Sequence, residues 1–107
     1  MKCVIKYQLA NGKIPFDDWF KRLDKSKQAK VLVRIERLKL GLYGTYRNLK
    51  KGIAELKFES GERIYFYEQN NTIILLLTAG NKQRQSSDIK NAEIYVNDYN
   101  ERIKNEK

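Results

Sequence analysis

The 107 residues carry 22 Lys and Arg against 13 Asp and Glu, a formal charge of +9, with 41% hydrophobic residues and one proline. This is the composition of one small globular domain spanning 1–107, not of a disordered chain. With no histidine, Ser-His-Asp and Cys-His catalysis and histidine metal sites are excluded, no metal site or cofactor is expected, and acid–base chemistry falls to Lys, Arg, Glu, Asp or Tyr. The charge excess points to a polyanionic partner (DNA, RNA, ribosome or an acidic protein), against the alternative of a merely solubilising surface.

No apolar stretch approaches the ~18 residues of a membrane span, and the opening Met1–Lys6 lacks the apolar segment of a secretory signal. The single cysteine, Cys3, cannot form an internal disulfide. Together these predict a cytoplasmic chain with no membrane partner, in which Cys3 is a small buried hydrophobe of a strand.

Residues 2–8 alternate, with Cys3, Ile5 and Tyr7 on one side, and predict the first strand. Asn11-Gly12 turns the chain. Pro15 opens a short helix, with Asp17 and Asp18 suited to its N-terminus, and Phe16, Trp19, Phe20 and Leu23 share one face. Asp24 caps a second helix whose buried stripe is Val31, Ile35, Leu38 and Leu42, ending near Gly41 and Gly44. Thr45 to Gly52 reads as a basic loop. Three strands follow at about 53–58, 62–69 and 72–79, the last apolar on both faces and therefore central. A final helix begins near Ser86 to Asp88, with Ile89, Ala92, Val96, Tyr99 and Ile103 on one stripe; the tail Asn105-Glu106-Lys107 is expected to fray. The reading is α+β, in the order β-α-α-β-β-β-α, with a small, mostly antiparallel sheet carrying its helices on one face and a basic concave surface on the other.

The hairpin around Gly61 decides which residues share a face. A two-residue turn at Ser60-Gly61 would set Phe58 opposite Arg63 and mix polar with apolar on both faces. A three-residue loop, Glu59-Ser60-Gly61, with Gly61 left-handed, pairs Lys57 with Arg63, Glu55 with Tyr65, Leu56 with Ile64 and Ala54 with Phe66. One face then becomes Ala54, Leu56, Phe58, Ile64 and Phe66; the other carries Glu55, Lys57, Arg63, Tyr65 and Tyr67. Because a one-residue slip flips whole faces, this segregation selects the second register. Two cations, a carboxylate and two phenols on one patch could serve RNA cleavage by 2′-hydroxyl attack, which needs a base, cations for the phosphorane and an acid for the leaving oxygen, with aromatic rings to stack splayed bases. The same residues could equally be cross-strand charge pairs on a solvated sheet face.

The run Glu55-Leu56-Lys57, then Gly61-Glu62-Arg63-Ile64-Tyr65-Phe66, resembles the "ELR…GxxYRVYF" signature of HigB-like toxins, the "addiction module killer" branch of the RelE/ParE superfamily. The run from Ile74 to Gln85 resembles "LLLxGGxKxxQ", and Ser87-Asp88-Ile89-Lys90-Asn91-Ala92 with Tyr95 resembles "xDIxxAxxY". The likeness spans roughly residues 12–99. Lys57 stands where the family has arginine, which removes the bidentate fork of a phosphate clamp, and Ala79 precedes Gly80 in place of the first glycine of "GG".

The resemblance implies the toxin of a type II toxin–antitoxin system: a ribosome-dependent, metal-independent messenger-RNA endonuclease that inhibits translation. Its partners would be ribosome and mRNA, and a cognate antitoxin, a small helix-turn-helix protein, would neutralise it. Carried over by position, Arg63 is the first catalytic residue, Lys82 the second cation and Lys57 the third, with Tyr65, Arg84 and Gln85 as substrate contacts. Glu55 is the candidate general base or, alternatively, an ion-pair partner. Lys50 and Lys51, on the basic loop leading into the sheet, are expected to grip ribosomal or messenger phosphates. Arg47 stays outside this set, because nothing in the sequence fixes its direction. Two rival readings remain: a ParE-like inhibitor of DNA gyrase, and a non-catalytic phage or DNA-binding accessory protein of the same fold.

Overall fold

The computed structural model describes residues 1–105; Glu106 and Lys107 of the expected fraying tail lie outside the described residues. The strands are β1 (Cys3–Lys6), β2 (Tyr46–Asn48), β3 (Ile53–Lys57), β4 (Glu62–Gln69) and β5 (Ile73–Asn81), and the helices are α1 (Pro15–Phe20), α2 (Lys25–Lys39) and α3 (Gln85–Asn105). Single 3₁₀ turns at Lys50–Gly52 and Lys82–Arg84 precede β3 and α3. The five strands lie in the order β1-β5-β4-β3-β2, antiparallel throughout except for the parallel β1–β5 pair.

The α+β class, the mostly antiparallel sheet and the helices packed against it match the sequence reading. One strand is added: Tyr46–Asn48, expected as part of a basic loop, pairs antiparallel with β3, Arg47 opposite Glu55. One placement is corrected. The helices do not share a single face. α1 and α2 cover Ala54, Leu56, Ile64, Phe66, Ile74 and Leu76, whereas α3 packs through Ala92 and Val96 on Ile53, Tyr65, Leu75 and Leu77. The central strand β5, apolar on both faces, is what permits this: each of its sides needs a cover. The face expected to be open and concave is therefore closed over much of its area.

Local chemistry explains the element ends. Asp24 Oδ1 accepts from the Lys27 amide at 2.9 Å, the expected cap of α2. α2 buries Val31, Ile35 and Leu38 as expected, but Leu42 is exposed, because the helix has ended and Gly41 turns the backbone at φ 78°. Cys3, expected buried, is exposed: it begins the edge strand, and α3 covers that strand only from Ile5 onward. α3 starts at Gln85, slightly earlier than expected. No helix among the described residues is long and apolar enough to cross a membrane.

Candidate functional site

The β3–β4 register is the one that the three-residue loop requires. Lys57 pairs with Arg63, Glu55 with Tyr65, Leu56 with Ile64 and Ala54 with Phe66. Phe58 N–H donates to the Glu62 carbonyl at 3.1 Å to close the loop, and Gly61 has φ 104°. From below, the hairpin is fixed by Arg34 of α2, which donates to the carbonyls of Lys57 (2.8 Å), Tyr43 and Thr45 (3.1 Å each), its guanidinium 4.6 Å from the Phe58 ring centroid.

Two cross-strand rows run over the α3 side of the sheet. The outer row is Lys57, Arg63 and Gly80; the inner row is Arg47, Glu55, Tyr65 and Thr78. The Ile64–Ala79 pair separates them, and a bulge on β5 lies just beyond the inner row, where Leu77 falls between the partners of Phe66 and Tyr65. In the outer row Lys57 and Arg63 are half-buried, and Arg63 donates through Nη1 to the Glu62 carbonyl at 3.2 Å. Lys82 and Arg84 are exposed on the turn that leads into α3. Lys50 and Lys51 are exposed on the other 3₁₀ turn, Lys51 at φ 62°.

The inner row differs from expectation. Glu55 is 0% exposed. Its Oε1 accepts from Arg47 Nε at 2.7 Å and its Oε2 from Gln85 Nε2 at 2.8 Å. Burial pushes this carboxyl up, but hydrogen bonds from Arg47 and Gln85, with the dipole of the nearby Tyr65 hydroxyl, outweigh it and hold the pKa below the usual glutamate value. Of the two readings of Glu55, the geometry shows the ion-pair partner: both carboxylate oxygens are engaged, by Arg47 and by Gln85. Tyr65 is also 0% exposed, its ring packed under α3, so it cannot stack a base. Its hydroxyl faces Glu55 without reaching bonding geometry, and burial, then the carboxylates of Glu55 and Asp88, push its pKa well up. The Gln85 amide points inward as a brace for Glu55 and not outward to substrate.

Three buried side-chain atoms without a hydrogen-bond partner among the described residues all belong to this side: Arg63 Nε, Tyr65 Oη and Asp88 Oδ2. Asp88, in the first turn of α3, is 5% exposed, and its pKa is raised by burial, against a smaller pull from Arg84. Its carboxylate presses on Gly80 so closely that a Cβ there would lie 1.9 Å from Oδ2. The glycine of the "GG"-like motif is thus required by the aspartate of the "DI"-like motif. Beside them, a cleft of about 620 Å³ opens between α1, the end of β5 and α3, with Arg84 and Asp88 in its wall.

Sequence reasoning missed two residues of this region. Arg47 carries no signal in the sequence because a three-residue strand has no periodicity, and pairing with β3 is what sets its direction. Asp88 was placed at a helix start, where carboxylates are ordinary; only its packing on Gly80 sets it apart.

The chain is similar to known sequences across most of its length. A family model described as phage-derived protein, Gp49-like, matches residues 18–99. An uncharacterized protein of Haemophilus influenzae is 36% identical over 84 residues, covering 76% of this chain and 85% of that protein.

Proposed function

The chain belongs to the Gp49-like family of phage-derived proteins, a family related to RelE-type addiction-module toxins, and from that premise we propose that it is the toxin of a toxin–antitoxin pair that cleaves messenger RNA on the ribosome. The observation that carries the reading is the outer row. Lys57 and Arg63 are register partners at the rim of the sheet, and Lys82 and Arg84 stand on the turn that follows β5, whose Gly80 is the next partner in that row.

In the proposed reaction the RNA 2′-oxygen attacks the adjacent phosphorus while the bond from phosphorus to the 5′-oxygen breaks, leaving a 2′,3′-cyclic phosphate and a 5′-hydroxyl. Arg63, always charged, stabilises the extra negative charge of the phosphorane. Lys57 and Lys82 are the amines that exchange protons with the attacking and leaving oxygens, a task Glu55 cannot perform from its enclosed position. Arg84, Lys50 and Lys51 bind flanking phosphates, and the +9 charge strengthens attraction to the ribosome and to an acidic antitoxin.

The test is induced expression in bacterial cells, with mapping of messenger 5′ ends. Wild type should produce new 5′ ends and growth arrest. Arg63→Ala should lower cleavage by ~10²-fold or more at an unchanged protein level. Full cleavage by a stably expressed Arg63→Ala protein would remove the assignment. Arrest without new 5′ ends, accompanied by loss of DNA supercoiling, would favour gyrase inhibition instead.

A further inference from the structure

Glu55 is a carboxylate at 0% exposure in the middle of a sheet, a costly placement unless its partners need it there. It has two. Arg47 comes from β2, and Gln85 is the first residue of α3, directly after the turn that carries Lys82 and Arg84. One buried charge therefore ties an edge strand and the start of a helix to β3, the strand that also presents Lys57.

Arg47 meets Glu55 through Nε alone, and 47% of its side chain stays exposed. No hydrogen bond or ion pair to a described residue occupies its two Nη groups. That leaves a planar fork, aimed by a fixed carboxylate and free to take two oxygens of a phosphate. Arg47 stands one row inward of Lys57, on the same side of the sheet. Two residues along a strand span about 6.8 Å, so the fork lies near the outer row without belonging to it. The arginine fork that Lys57 cannot offer is supplied here from a neighbouring strand.

We infer that Arg47 is a substrate contact that clamps an RNA phosphate beside the Lys57–Arg63 row, and that Glu55 is the positioning residue that aims it while bracing the Lys82–Gln85 turn. This rests on the RNA reading above for the identity of the polyanion. A phosphate of any single-stranded nucleic acid would fit the fork equally well, and the assay is chosen to separate the two claims.

The experiment measures binding of a single-stranded RNA oligonucleotide with 2′-deoxy substitutions, which cannot be cleaved, at several salt concentrations, alongside single-turnover cleavage of the unmodified RNA. Arg47→Ala should reduce the log–log salt slope by about 0.7, the value of one phosphate contact on a single strand. Arg47→Lys should restore most of the slope, because charge is kept, but not the full rate, because the fork is lost. Glu55→Gln keeps Arg47's charge and loses its aim: the salt slope should stay within error of wild type while the cleavage rate falls at least tenfold. An Arg47→Ala protein with unchanged slope, affinity and rate would overturn the inference. So would a Glu55→Gln protein whose melting temperature falls but whose rate per folded molecule does not, since Glu55 would then be purely structural. If wild type binds RNA with the Arg47-dependent slope but cleaves nothing, the clamp stands and the nuclease reading fails.

Discussion

The two faces of the sheet use burial differently. On the α1–α2 side the core is apolar, and the buried carboxylate there, Glu62, is answered by the Ser60 hydroxyl and by Lys27 Nζ at 3.5 Å. On the α3 side, hydrophobic packing by Ala92 and Val96 shares space with Glu55, Tyr65 and Asp88, and Arg63 Nε, Tyr65 Oη and Asp88 Oδ2, which have no hydrogen-bond partner among the described residues, all fall there. Buried polar groups left without partners cost stability. A small chain that confines them to one face keeps the opposite face free to hold the fold. One side of the sheet is thus almost wholly apolar, and the other mixes apolar packing with buried polar groups.

Truncation separates the two sides most sharply. Phe66, 1% exposed on the α1–α2 face, leaves a large void when replaced by alanine. Phe66→Ala should cost about 3–5 kcal/mol in denaturant unfolding, while the proposed RNA cleavage per folded molecule stays near wild type. A large loss of specific activity at preserved fold would mean that the two faces are not independent.

The next test concerns the buried carboxylate. Because the folded pKa of Glu55 is lowered, its contribution is complete above the ordinary glutamate value of about 4.3 and drains as the pH falls through the lower folded value. Glu55→Gln should therefore cost roughly 1–3 kcal/mol near neutral pH, as expected for losing a charged, buried acceptor. It should also flatten the acid limb of the stability–pH curve in that low-pH window. Parallel acid limbs for the two proteins would show that Glu55 titrates alike folded and unfolded.

How much of this was legible depended on periodicity. Alternation over 53–58 and 62–69, with a glycine at the tip, was enough to set the hairpin register, since the competing turn scrambles both faces. The cap at Asp24 and the stripe Val31-Ile35-Leu38 were readable for the same reason. The side of the sheet that α3 covers was not: an amphipathic stripe says that a helix is covered on one face, not which face of a two-sided apolar strand receives it. That gap is what turned Glu55 and Tyr65 from exposed candidates into enclosed ones. β2 was invisible because three residues, all exposed, carry no pattern, and with β2 went the aim of Arg47. The Asp88–Gly80 contact joins two motifs that were each legible, but their contact is a tertiary fact.

The smallest expected effect tests the register on which both faces depend. Gly61 sits at φ 104°, and no atom lies within 4 Å of where a Cβ would stand. Gly61→Ala therefore meets open space, and its cost comes from the backbone alone, about 1–2 kcal/mol for a left-handed conformation. The register should survive, because a slip by one residue would turn Leu56, Ile64 and Phe66 out of the core, a far larger loss. The expected result is a lower denaturant midpoint with an unchanged m-value and an unchanged cleavage rate at a temperature where the variant is folded. A changed m-value together with lost cleavage would mean that the tip glycine, and not the hydrophobic segregation of the two strands, selects which residues face α3.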